Sequence, residues 1–320
     1  MKQNITIDDI ARDLGVSKTT VSRAISGKGR ISPQTRQRVM DYIGKHHYRP
    51  SAAAKALAEN RTYNLALVLP RSFIKLDLPF VRQSLSAICE EANLSGYNIL
   101  IAIASDEHPE SLLRILDDRK ADGVILSQTS DNLTLARQLV ARGIPLATMG
   151  TLPEEAGCAT VEADHDTVGG CREFTRSWIS GSEKIALIGG DMRYIVNQNR
   201  LDGFRSATAH LPRENVIVSI GLESATECAE KVTTLASQGV KQFLCMDDAI
   251  CTWMLEIDLP SDVRIASLYD AKVLHTHSNH VAALRFDAAE LGRIACRELL
   301  KSLQGLPHDP KPRLGYSIKL

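Results

Sequence analysis

Three hundred and twenty residues, 44% hydrophobic and 24% charged, suffice for two or more domains with real cores and exclude a fibrous or disordered chain. No run approaches the ~18 consecutive apolar residues of a membrane span, and the polar start Met1-Lys2-Gln3-Asn4 is no secretory signal, so a cytoplasmic location is expected. The net charge of zero hides an asymmetry: residues 1–60 carry 11 Lys and Arg against 5 Asp and Glu, whereas residues 61–320 carry 27 against 33. A basic segment suited to a polyanion therefore precedes an acidic body. The 7 cysteines are scattered and never spaced C-x-x-C, which argues against a disulfide framework or a zinc ribbon and fits reduced thiols.

The basic segment opens with Thr6-Ile7-Asp8-Asp9, a capping-box pattern. Ile7, Ile10, Ala11 and Leu14 then form one apolar stripe on a first helix. Gly15-Val16 breaks it, Ser17 caps a second helix from Lys18 to Ile25, and Val21, Ala24 and Ile25 are its inward face. Ser32-Pro33 opens a third helix, with proline at the first helical position, where a missing N–H costs nothing. Two short helices around a Gly-containing turn with a third packed across them describe a helix-turn-helix. The second would present Lys18, Thr19, Ser22 and Arg23 outward, donors and a methyl that can meet base edges in a major groove. Tyr48-Arg49-Pro50-Ser51 then leads into alanine-rich sequence to Ala58, a helix of about two turns, marginal unless a duplex and a partner copy stabilise it.

Thr6-Ile7-Asp8-Asp9-Ile10-Ala11, Val16-Ser17-Lys18-Thr19-Thr20-Val21-Ser22-Arg23 and Tyr48-Arg49-Pro50-Ser51 followed by Ala54 and Leu57 resemble the lactose/galactose/purine repressor (LacI/GalR) family, densely over residues 5–62 and more thinly to the C-terminus. The resemblance implies an N-terminal all-α helix-turn-helix headpiece with a hinge helix (residues 1–60). It implies next a two-lobed α/β periplasmic-binding-protein-like core with parallel sheets (61–320). DNA contacts would come from Ser17, Lys18, Thr19, Thr20, Ser22 and Arg23, and from Ser51, Ala54, Lys55 and Leu57, with Leu57 wedged into the minor groove at the operator centre. Such an apolar wedge unstacks a base step and kinks the duplex.

After Arg61-Thr62 apolar runs alternate with amphipathic helices. The strands expected are Leu65–Leu69, Ile99–Ile103, Val124–Leu126, Leu146–Met149, Ile185–Ile188, Val216–Ile220, Phe243–Met246 and Arg264–Leu268. Between them fall helices Phe80–Asn93, Glu110–Arg119, Leu133–Ala141, His165–Ile179, Asn199–Ala209, Ala225–Ser237 and Ala249–Glu256. Repeated β–α units mean parallel sheets, and ligands of such sheets bind beyond the strand C-termini. The resemblance implies a small effector between two lobes, with Arg71, Phe80, Ser127, Arg200, Asp247 and Asp270 as candidates. Arg71 with Arg200 could clamp an anion bidentately, so the effector expected is a sugar or sugar-phosphate. Three departures from the family pattern make the cleft partly private: Met246-Asp247 for asparagine-aspartate, Thr252 for a glycine, and Val281-Ala282-Ala283 for leucine-threonine-threonine.

Other clusters have plainer readings. His275, His277 and His280 lack a fourth ligand at zinc spacing. Asp164-His165-Asp166 stands before a helix, where capping and a cleft contact are expected, and Gly189-Gly190-Asp191 lacks the phosphate-loop pattern. No catalytic constellation, metal site or cofactor is expected. The alternative is a sugar- or nucleotide-processing enzyme with an accessory DNA-binding module; a pure receptor fits the basic segment less well. The expected partners are double-stranded, pseudo-palindromic operator DNA, the effector, and a second copy in a homodimer, since symmetric half-sites call for a symmetric protein. No membrane partner is expected.

Overall fold

The computed structural model describes residues 5–27, 29–46, 48, 56, 59–70, 79–157, 159–181, 183–269 and 281–320. The chain divides into two compact units, Met1–Thr62 and Tyr63–Leu320.

In the first unit the capping box forms: Thr6 Oγ1 accepts from the Asp9 N–H (3.3 Å) and the Asp9 carboxylate accepts from the Thr6 N–H (3.0 Å), opening α1 (Ile7–Leu14). Gly15, at φ +66°, ends α1 in the left-handed conformation that glycine takes without strain. Ser17 caps α2 (Lys18–Ser26) and Ser32 caps α3 (Pro33–Lys45), each accepting at 3.1 Å from the N–H three residues on. Ile10, Ala11, Val21, Ala24 and Val39 form the core between them.

The second unit contains two six-stranded sheets of the same order. In the N-lobe, β1 (Asn64–Leu69), β2 (Asn98–Ile103), β3 (Gly123–Leu126), β4 (Leu146–Met149), β5 (Val161–His165) and β11 (Arg313–Leu314) run in the order β2-β1-β3-β4-β5-β11, all parallel. In the C-lobe, β6 (Ile185–Ile188), β7 (Val216–Ser219), β8 (Gln242–Cys245), β9 (Arg264–Ser267), β10 (Ala282–Arg285) and β12 (Ser317–Lys319) run in the order β7-β6-β8-β9-β10-β12. Only β12 is antiparallel to its neighbour. The helices α4 (Pro79–Leu94), α5 (Glu110–Asp117), α6 (Thr134–Ala141), α7 (Thr167–Trp178), α8 (Ile195–Thr208), α9 (Ala225–Ser237), α10 (Asp248–Leu255) and α11 (Ala288–Leu303) connect them. Strands buried on both faces account for the near-continuous apolar runs Leu65–Leu69 and Ile185–Ile188.

The chain passes between the lobes three times: at Asp166 after β5, at Phe286-Asp287 after β10, and at Gly315-Tyr316 between β11 and β12. One ring from each crossover meets the next, His165 to Phe286 at 5.1 Å and Phe286 to Tyr316 at 6.4 Å. After the second crossover α11 returns to the N-lobe and packs on α4, where Gly292 is required: a Cβ there would lie 2.8 Å from the Ser84 carbonyl oxygen. The expected helix from His165 is corrected by the structure. Val161–His165 is strand β5, buried throughout, and the helix starts at Thr167 with Asp166 as its cap.

Candidate nucleic-acid interface and ligand cleft

Helix α2 is polar on one side because Val21 and Ala24 are drawn into the three-helix core. Ser17, Lys18, Thr19, Ser22 and Arg23 are exposed. Thr20 is half-buried and belongs to the cap, its hydroxyl 2.9 Å from that of Ser17. Lys18 is ion-paired to Asp8 of α1. The stem of Arg23 lies 3.2 Å from where a Cβ at Gly29 would stand. Arg36 and Arg38 escaped the sequence reading because their task is internal. They donate to the carbonyls of Gly27 and Leu14, both at 3.2 Å, and fix the two turns that flank α2. The hinge-helix candidates Ser51, Ala54, Lys55 and Leu57 lie outside the described residues.

Between the lobes, two groups of side chains face the strand C-termini. Phe80, at the start of α4, packs against both N-lobe and C-lobe clusters. Its ring meets Tyr269 edge-on at 6.1 Å, and the Arg200 guanidinium stands 5.9 Å from the same Tyr269 ring. Arg200 is only 8% exposed; it donates to Asn197 Oδ1 at 2.9 Å, while its Nε has no hydrogen-bond partner. Tyr269, 3% exposed and part of the C-lobe core cluster, is the ring that Phe80 and Arg200 share, and the sequence reading did not single it out. Asp247 caps α10, accepting from the Ile250 N–H at 2.9 Å, so one of its oxygens is already occupied.

The second group surrounds a pocket of about 750 Å³ beyond β1, β2 and β3. Ser127, following β3, lines it; the residue is 2% exposed and its Oγ is buried with no hydrogen-bond partner. The loop after β3 also latches to the loop before α8 through main-chain bonds. Asp131 N–H donates to the Arg193 carbonyl (2.8 Å), Ile195 N–H donates to the Thr129 carbonyl (3.1 Å), and Ser130 and Tyr194 form an antiparallel bridge. Of the effector candidates the structure thus places Phe80 and Arg200 at the same Tyr269 ring, Ser127 on a separate pocket and Asp247 at the cap of α10, while Arg71 and Asp270 lie outside the described residues.

The remaining clusters have structural roles. Asp166 caps α7, and Asp164 accepts from the Thr151 N–H (3.1 Å) and hydroxyl (2.6 Å). His165 is 6% exposed; desolvation lowers its pKa against the opposing pull of the Asp164 carboxylate and of Asp287. At Gly189 the Met246 side chain packs against the backbone, so that a Cβ would lie 2.7 Å from its sulfur. The described cysteines are free thiols, and burial pushes Cys171 up to about 12 and Cys228 up to about 11, far from a nucleophile's range. Among the described residues no three His, Cys, Asp or Glu side chains are placed to hold a metal ion, and no helix is long and apolar enough to cross a membrane. His275, His277 and His280 lie outside the described residues.

The family description "Bacterial regulatory proteins, lacI family" matches residues 6–51. The HTH-type transcriptional regulator DegA of Bacillus subtilis (strain 168) is 33% identical over 238 residues, 71% of this chain and 69% of that protein. Among solved structures, a transcriptional regulator CelR–cellobiose complex is 25% identical with a TM-score of 0.70, covering 99% of this chain and 98% of that one. The Lac repressor dimer bound to operator and the anti-inducer ONPF shares the fold at a TM-score of 0.77 and 19% identity, with 99% of this chain and 98% of that chain covered. With its capped helix-turn-helix and paired parallel sheets, the chain belongs to the lacI family of bacterial regulatory proteins and is a helix-turn-helix transcriptional regulator.

Proposed function

We propose that the protein is a cytoplasmic, homodimeric repressor of carbohydrate-utilisation genes, released or retained on its operator by a small carbohydrate held between the core lobes. The observation that carries this is the outer face of α2, where Lys18, Thr19, Ser22 and Arg23 stand exposed over a buried Val21 and Ala24. Lys18, Thr19 and Arg23 read base edges in the major groove, and Ser17, Thr20 and Ser22 bond phosphate oxygens. Ser51, Ala54, Lys55 and Leu57 enter the minor groove between the half-sites. Arg71, Phe80, Ser127, Arg200, Asp247 and Asp270 hold the effector; polar groups beside the Phe80 and Tyr269 rings suit a sugar's hydroxyl edges and C–H faces. The cellobiose bound to CelR and the operator bound to the Lac repressor dimer support this assignment of ligand classes. A ligand that prefers one arrangement of the lobes shifts operator affinity, and operator shifts ligand affinity by the same factor.

Fluorescence anisotropy with the promoter DNA beside the protein's own gene tests this. The logarithm of affinity falls linearly with the logarithm of salt concentration, promoter DNA outcompetes random DNA, and a carbohydrate alters the affinity. Equal affinity for promoter and random DNA at every salt concentration contradicts it.

A further inference from the structure

Lys18 stands at the wrong end of α2 for a cation. It is the first residue of the helix, next to the Ser17 cap, where the macrodipole is positive, and α2 has no acidic residue in its first turn. The compensating charge comes from another element: Asp8, in the first turn of α1, is ion-paired to Lys18. Both side chains are more than half exposed, so the pair lies on the surface of the headpiece. The other acids of α1 have internal tasks, Asp9 in the capping box and with Arg12, Asp13 with Tyr42 and Arg12. Among the described residues the side chain of Asp8 has Lys18 as its one polar partner. An exposed ion pair adds little stability, so the pairing is better explained by what Lys18 does outside the fold.

We propose that Asp8 is a specificity-determining residue of the DNA interface: it positions Lys18 so that two ammonium N–H groups meet the paired acceptors of one guanine in each half-site. The proposal rests on the base-reading assignment of Lys18 above and deepens it. An ammonium carries three donors on a flexible four-carbon stem and, left to itself, bonds phosphate or any base acceptor in reach. Held at Asp8 by one N–H, it has two left to give. In the major groove guanine presents two adjacent acceptors, O6 and N7. Adenine sets N7 beside its N6 amino donor, thymine sets O4 beside a methyl, and cytosine offers a donor alone. Only guanine takes both N–H groups. The carboxylate also acts against the competing contact, because beside a phosphate its charge is repelled, so the pair gains less on the backbone than a free lysine does. Asp8 itself touches no base; it acts through Lys18.

The test uses the full-length protein. Wild type, Asp8→Asn and Lys18→Ala each select half-sites from one pool of random duplexes, and competition anisotropy then measures every single-base variant of the wild-type consensus. Wild type is expected to prefer guanine at one position of each half-site by about tenfold or more, and Lys18→Ala to lose that preference. Asp8→Asn should reduce it to about threefold or less, with preferences elsewhere in the half-site unchanged. The affinity of Asp8→Asn for random DNA should rise, since a negative charge leaves the phosphate face. A loss spread equally over all positions in Asp8→Asn would mean that Asp8 only supports the fold of α1. A full guanine preference in that variant would mean that the pair is not kept on DNA, and a base other than guanine at the position that Lys18→Ala relaxes would remove the paired acceptors. Each of these overturns the positioning role and leaves base reading by Lys18 intact. No selected consensus, or a Lys18→Ala protein with unchanged preference at every position, overturns both. Asp8→Ser is read in the same way if Asp8→Asn fails to fold.

Discussion

Arg23 is exposed on α2, one turn beyond Thr19 and with its stem over Gly29, so its guanidinium is free to reach a base edge. Arg23→Ala is expected to weaken promoter binding by about 1–3 kcal/mol and to relax preference at one position of each half-site. Competition titrations with single-base operator variants check this, and equal loss on specific and random DNA would reduce Arg23 to a phosphate contact. His165 makes a different prediction. Its pKa is lowered in the folded protein from 6.5 because its ring is desolvated among the crossovers. The unfolded chain therefore binds more protons in the window from 6.5 down to the folded-state value. Unfolding free energy should fall as pH drops through that window and level off below it. Urea unfolding from pH 8 to pH 5 should show this dependence, and His165→Gln should flatten it. At this scale the legible residues were those whose chemistry is exceptional for their place. Arg200 was proposed through its resemblance to a family motif, and Asp166 was read as a cap, which the structure shows. Tyr269 was not singled out, since nothing local marks the ring at the end of β9 as the one that Phe80 and Arg200 share.

The elements most visible in the sequence were those with one strong period or one strong cap. Leu65–Leu69 was read within one residue of β1, and the caps at Thr6, Ser17 and Ser32 fall where their side chains promised. Strand β5 was not visible, because Glu162, Asp164 and His165 are poor markers of a buried strand. Tertiary partners override that signal: Lys311 stands 3.8 Å from Glu162, and Thr151 donates twice to Asp164. Strands β10, β11 and β12 and helix α11 were likewise not assigned, being the pieces that stitch one lobe back to the other. The main-chain latch was hidden for a related reason: backbone bonds between distant loops leave no mark on side-chain pattern. It can be cut selectively. Ile195 is the first residue of α8, where proline is tolerated, and Tyr194 before it is already extended at φ −82°, ψ 127°. Ile195→Pro therefore deletes the 3.1 Å bond to Thr129 while leaving the helix intact. The loss should cost about 1 kcal/mol, speed hydrogen exchange at Asp131, and change carbohydrate affinity severalfold through the lobe equilibrium. Exchange and affinity both equal to wild type would mean that the latch holds nothing.

At the scale of the whole molecule, the crossovers decide which side of the core can meet another copy. They join the β5–β11 edge of one sheet to the β10–β12 edge of the other, so β2 and β7 are both the edges away from the crossovers. Each exposes apolar side chains: Ile101 on β2 is 52% exposed, and Val218 and Ile220 at β7 are 36% and 40%. Exposed apolar strand edges are an aggregation liability unless a partner covers them. A second copy related by a two-fold axis would cover both edges at once, with the symmetry that paired half-sites require. A stable interface of this kind buries on the order of 1,200–2,000 Å². A lysine at either position would put a charge into that contact without disturbing a buried core position. Ile101→Lys combined with Ile220→Lys should sediment as a monomer at micromolar concentration where the wild type is expected to sediment as a dimer, with the far-UV circular dichroism of the core unchanged and Tm lowered only by the lost association. Operator affinity should then fall by about 100-fold or more, because each half-site binds without the effective concentration supplied by its twin. Analytical ultracentrifugation decides the point: a double variant that remains dimeric and keeps its operator affinity would move the interface to another face of the core.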